Sequence, residues 1–154
     1  MLKKISKLSK TSGFTLIELL VSISLLTIIA TGVLAYLNPA LQLKRTRDTR
    51  RKSDLAKIQA AVELYRADQG SYPGSLSCGS QLAVGGIIYI RVVPCDPKNT
   101  SPYIYTYTAA SPPVTYTIVS CLENAADTQK DTSQALPNNS QCTGGSVSYT
   151  VTNP

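Results

Sequence analysis

The chain has 154 residues and no histidine. The commonest general base and a preferred zinc ligand are therefore missing from the start. The four cysteines, Cys78, Cys95, Cys121 and Cys142, include no C-x-x-C pair, so the ligand pattern of a zinc site is missing too. There is no G-x-S-x-G, no phosphate-cradling glycine loop and no coherent pair of carboxylates. Scattered serines, threonines and tyrosines suit strand surfaces better than a nucleophile, and the sequence reads as non-enzymatic.

Acids are scarce where it matters most. The first thirteen residues, MLKKISKLSKTSG, hold Lys3, Lys4, Lys7 and Lys10 and no acid. Residues 14–37, FTLIELLVSISLLTIIATGVLAYL, hold one charge, Glu18. As a helix rising 1.5 Å per residue, that run spans roughly 36 Å, enough to cross a bilayer. The basic leader should stay cytoplasmic and the chain beyond the run should be exported. A secretory signal is the rival reading, with Ala30-Thr31-Gly32 as its cleavage site. The length of the run, the acid inside it and the helical segment that follows speak against that rival. A carboxylate in hydrocarbon costs roughly 2.5 kcal/mol or more, so Glu18 needs a reason to be there. Taken alone, protonation or a reach toward the headgroups would suffice.

The segment Gly13-Phe14-Thr15-Leu16-Ile17-Glu18-Leu19-Leu20-Val21 resembles the prepilin motif of type IV pilins and type II secretion pseudopilins. The resemblance implies cleavage by prepilin peptidase after Gly13 and methylation of the new terminus, Phe14. It also implies a non-enzymatic structural subunit, stored as a single-pass precursor in the inner membrane with its N-terminus cytoplasmic. Assembly would place it in an extracellular pilus or a periplasmic pseudopilus. The implied partners are other copies in a helical filament, an assembly ATPase with its inner-membrane platform, minor pilins, and membrane lipid before assembly. In such a filament Glu18 would meet the Phe14 amine of a neighbour, restoring part of each group's desolvation cost and favouring one axial register. A tethered or secreted adhesion domain that never polymerises is the alternative.

Composition divides the rest. The expected organisation is a cleaved leader at 1–13, a transmembrane and assembly helix at 14–37, an amphipathic helix at 38–70 after a bend at Asn38-Pro39, and an exported β-rich domain at 71–154. In the second helix, Leu55, Ile58, Val62 and Tyr65 recur at spacings of three and four, widened by Ala61 and Leu64, and Gly70 supplies a left-handed cap. Residues 87–93 are apolar enough for a short buried segment of either type. Alternation predicts strands at 103–108, 114–121 and 146–152, the first two forming an antiparallel hairpin. The fold class is α+β: a pilin fold with a long N-terminal helix packed on an antiparallel sheet of about three strands, its loops stapled by disulfides. Gly70-Ser71-Tyr72-Pro73 and Val93-Pro94-Cys95-Asp96-Pro97, followed by Tyr103-Ile104-Tyr105, extend the resemblance to major pseudopilins and short pilins. The tryptophan and glycine those proteins often carry after Asp-Pro are replaced here by Lys98-Asn99.

All four cysteines fall in the segment expected to be exported, where disulfides persist. Three connectivities are open. Cys78 with Cys95 and Cys121 with Cys142 is favoured, because each bond would close a loop with little regular structure of its own. Major pseudopilins commonly bind calcium in a carboxy-terminal loop, and Glu123, Asp127 and Asp131 are the candidate ligands here, though they match no specific motif. No other cofactor is expected.

The net charge of +6 is uneven. Lys44, Arg45, Arg47, Arg50, Arg51, Lys52 and Lys57 form a basic belt just past the apolar run, opposed there by Asp48 and Asp54. On the exported side this runs against the usual orientation bias. A solvated helix face, anionic headgroups, acids on neighbouring subunits and DNA, as in an uptake pilin, compete to explain it. Nothing in the sequence reads bases.

Overall fold

The computed structural model describes residues 13–36, 38–132 and 142–154. The chain divides into two compact units, Met1–Pro39 and Ala40–Pro154.

The first unit contains helix α1, Leu16–Tyr36. Thr15 starts it: its Oγ1 accepts a hydrogen bond from the Glu18 backbone N–H at 3.2 Å, the N-cap arrangement that satisfies one orphan donor. Ser22, Ser24 and Thr27 each donate to the carbonyl four residues back at 2.8 Å, and Thr31 donates to the Ile28 carbonyl at 2.8 Å. The hydroxyls thus make their bonds inside the helix, as a segment without water requires. Every large apolar side chain of α1 is at least half exposed, and among the described residues none in its apolar window is buried.

Asn38 stands at a φ of 43° outside either helix, and Pro39 opens α2, Pro39–Gln69. Proline suits a first helical turn because its missing N–H would be unpaired there anyway. Gly70, at φ 77°, ends the helix, its N–H donating to the Arg66 carbonyl at 2.8 Å.

In the second unit, strands β1 (Leu82–Val84) and β2 (Ile87–Ile90) pair antiparallel. Gly85 and Gly86 turn between them with φ of 59° and 85°, the two positive values that a tight primed hairpin demands. Strands β3 (Thr106–Ala109), β4 (Tyr116–Leu122) and β5 (Val147–Thr152) form a second antiparallel sheet in the order β3-β4-β5. The core joins Leu55, Ile58 and Val62 of α2 to Tyr116 and Ile118 of β4, with Tyr72 and Val93 from the connections. Tyr105, Tyr107, Tyr149 and Val151 pack around it. The opposite face of the sheet is covered as well. Asp131 accepts from the hydroxyls of Ser148 and Thr150 and from the Thr150 N–H, while its own N–H donates to the Ser148 carbonyl. This clamps the free edge of β5, which would otherwise offer unpaired groups to another chain. β4 is buried at every position but Thr117, as a strand covered on both faces should be.

The α+β architecture is the expected one, with differences in detail. A separate two-stranded sheet accompanies the three-stranded one. Leu64 lies outside the buried stripe and is 60 % exposed, since the sheet covers only the face that carries Leu55, Ile58, Ala61 and Val62. Residues 87–90 are a strand, and Ile87 and Ile88 stay exposed rather than buried. The strand expected at 103–108 begins only at Thr106; Tyr103 joins Thr100 in an isolated bridge.

Two disulfides staple the connections. Cys78 bonds Cys95, with 5.0 Å between the Cα atoms, and Cys121 of β4 bonds Cys142, with 5.4 Å.

Candidate functional site

The amino-terminal segment is built for access. Phe14 is exposed, and nothing stands within 4 Å of where a Gly13 side chain would begin, so the Gly13-Phe14 bond is unobstructed within this chain. Glu18 occupies the first turn of α1, where the positive end of the helix dipole favours an acid. Among the described residues no ion pair reaches the Glu18 carboxylate.

The second unit carries a denser arrangement. Arg51 projects from α2 and is completely buried. Its Nε and Nη2 donate to Asp96 at 2.6 and 3.0 Å, and its Nη1 donates to Asp48 at 2.8 Å and to Glu123 at 2.9 Å. The Tyr103 ring lies 4.8 Å from the guanidinium carbon. Asp48 also accepts the backbone N–H groups of Glu123 and Asn124, each at 2.9 Å. Arg47 grips Glu123 with two bonds of 2.6 Å, and Lys98 reaches the same carboxylate at 2.9 Å. Three carboxylates thus face three cations. Arg51 loses basicity to burial and gains more from Asp96, Glu123 and Asp48, so its pKa is raised. Hydrogen bonding from Arg47, with help from Lys98 and Arg51, outweighs burial and holds the Glu123 carboxyl well below the usual carboxylate range.

These contacts account for most of the basic belt. Lys52 pairs with Asp127 at 2.6 Å, Lys57 with Asp54 at 3.0 Å, and Arg50 lies 3.8 Å from Asp54. Lys44 and Arg45 remain exposed, and no ion pair reaches them among the described residues. The three acids expected as calcium ligands are not brought together. Glu123 belongs to the Arg51 cluster, Asp127 to Lys52 and Asp131 to Ser148 and Thr150. Among the described residues no group of three or more histidines, cysteines or acids is placed to hold a metal ion. Sequence reasoning missed Arg51, Asp48 and Asp96 as a unit. The i,i+3 spacing of Asp48 and Arg51 was its one local trace.

A family model described as the prokaryotic N-terminal methylation motif matches residues 8–34. The chain carries the prepilin signal of type IV pilins and pseudopilins. No curated protein and no solved structure matches the chain. The matched span takes in the Gly13-Phe14 step, Glu18 and most of α1, and it marks a pilin-like or pseudopilin-like protein. Such a signal implies processing by prepilin peptidase and assembly into a pilin-type filament. With the apolar α1, it fits a membrane-anchored precursor and a structural subunit rather than an enzyme.

Proposed function

We propose that this pilin-like protein is a polymerising subunit of a type IV pilus or a type II secretion pseudopilus. Prepilin peptidase cuts after Gly13 on the cytoplasmic side, Phe14 is methylated on its new amine, and an assembly ATPase with its membrane platform lifts the subunit into the fibre, alongside minor pilins. The observation that carries this reading is an apolar helix whose large side chains are all at least half exposed, joined to a signal that implies an amine freed four residues before its one acid. In the precursor, lipid tails solvate α1. In the fibre the same surface packs on other copies, so the transfer never exposes it to water. The amine of Phe14 in one copy then neutralises Glu18 in the next, in surroundings dry enough for the pair to set the register.

The DNA-uptake reading gains little support, because most of the belt that would attract phosphates already answers acids within the chain. A tethered adhesion domain would need no free amine near Glu18. Mass spectrometry of the amino-terminal peptide from cells tests the proposal. A peptide beginning at Phe14 with one added methyl group is expected; an intact Met1, or a start near Val33, overturns it.

A further inference from the structure

We propose that the Arg51 guanidinium is the resident cation of a three-carboxylate cage, and that this cage, not a bound calcium ion, ties the second unit together. The cage draws on three distant stretches: Asp48 from α2, Asp96 from the loop after Cys95, and Glu123 from the end of β4. Their side chains are at most 3 % exposed, and so is that of Arg51. Carboxylates from separate segments closing on one buried positive centre is what a structural cation achieves. Here the positive centre is covalent.

The donor set shows why a metal ion does not fit beside it. Calcium takes six to eight oxygens at about 2.3–2.6 Å. Both oxygens of Asp96 face Arg51, and one also accepts the Lys98 backbone N–H at 2.8 Å. Both oxygens of Asp48 accept backbone N–H groups besides Arg51, and both oxygens of Glu123 accept Arg47. Asp127 is taken by Lys52 and the Gln129 N–H, and Asp131 by Ser148 and Thr150. Every acid the sequence offered for calcium is directed at an N–H or O–H donor. The link between α2, the 94–98 loop and the end of β4 therefore needs no bound metal ion. Removing the guanidinium leaves three carboxylates facing one vacated centre, with Arg47 and Lys98 still bonded to Glu123 and backbone N–H groups still on Asp48 and Asp96.

The test is thermal unfolding of the full chain in detergent micelles, followed by near-ultraviolet circular dichroism of the tyrosines. The readout concerns single subunits, so it is independent of cleavage, Glu18 and filament formation. The wild-type protein should unfold at the same Tm in millimolar Ca2+ and in excess chelator. Arg51→Ala should lose more than about 10 °C in either buffer. Calorimetric titration should show no Ca2+ binding to the wild type. A wild-type Tm raised several degrees by Ca2+ or lowered by chelator overturns the proposal, and so does a folded Arg51→Ala that keeps the wild-type Tm. If Arg51→Ala does not fold in either buffer, the wild-type Tm comparison and titration decide alone.

Discussion

Arg51 and Asp96 stand 45 residues apart in sequence and share two hydrogen bonds of 2.6 and 3.0 Å with neither side chain open to solvent. Cys95, the neighbour of Asp96, is bonded to Cys78, so a covalent and an ionic tie act on the same loop. The two ties differ in their energetics. A disulfide closing a loop of this size contributes roughly 3 kcal/mol, chiefly by restricting the unfolded chain. The ion pair merely offsets its own desolvation while intact, and becomes expensive when one partner is taken away.

Asp96→Ala leaves the guanidinium buried with two of its four bonds missing. A loss of about 3–5 kcal/mol is expected on that ground. Urea unfolding of the full chain in detergent gives the number. A loss below about 1 kcal/mol, the scale of an exposed pair, shows that water reaches the cage.

Acid should loosen the same region. The Glu123 carboxyl is depressed first by Arg47, then by Lys98 and Arg51, against the opposing effect of burial. Asp127 is lowered too: burial works to raise it, and its bonds from Lys52 and Gln129 prevail. A carboxyl whose folded pKa is depressed stabilises the fold fully above its unfolded value, about 4.3 for Glu, and loses that contribution as pH falls through the folded value. The urea midpoint should therefore be level near neutrality and fall below about pH 4.5. Glu123→Gln should be weaker at neutral pH yet show a shallower acid limb. An acid limb identical to the wild type would remove Glu123 from the explanation.

Base probes the opposite side of the core. Burial pushes the Tyr107 phenol up to about 12, and its hydroxyl donates to the Pro73 carbonyl at 2.7 Å. Burial also raises Tyr105 and Tyr116, and Asp54 and Glu63, which accept their hydroxyl protons, raise them further. A raised folded pKa means stability that is complete below the ordinary tyrosine value, about 10, and lost as pH climbs through the folded value. Phenolate absorbance should rise in two stages, the second coinciding with loss of the near-ultraviolet dichroism. Ionisation of all nine tyrosines near pH 10 with the fold intact contradicts this.

The long apolar run made α1 legible, and periodicity did the same for α2 and the outer strands, because side-chain direction follows the backbone repeat. Val147, Tyr149 and Val151 alternate on β5, and Leu55, Ile58 and Val62 keep one face of α2. The hairpin at Gly85-Gly86 carried a two-glycine turn signal, yet the apolar run after it suggested burial, and Ile87 at 53 % exposure contradicts that inference. Apolar content says nothing about which neighbours exist to cover it. The ionic cage was hidden for a related reason. A run of charges on a helix normally means a solvated face, and only the fold brings Asp96 and Glu123, 45 and 72 residues away, onto Arg51.

Glu18 offers the sharpest test of the assembly proposal, because its local and intermolecular roles predict different failures. As a first-turn acid at the start of α1 it adds a fraction of a kcal/mol to a helix that lipid already favours. Losing that leaves insertion and cleavage untouched. As the partner of a neighbour's Phe14 amine it decides whether that amine is buried with a counter-charge or without one, a difference of several kcal/mol repeated at every subunit. Glu18→Ala should thus yield protein that is membrane-bound and begins at methylated Phe14, yet is absent from sheared fibres, whereas Glu18→Asp, which keeps the charge on a shorter arm, should assemble in reduced amount. Fibres formed at wild-type yield from Glu18→Ala would show that the amine is satisfied elsewhere, leaving Glu18 with its interaction with the helix dipole alone.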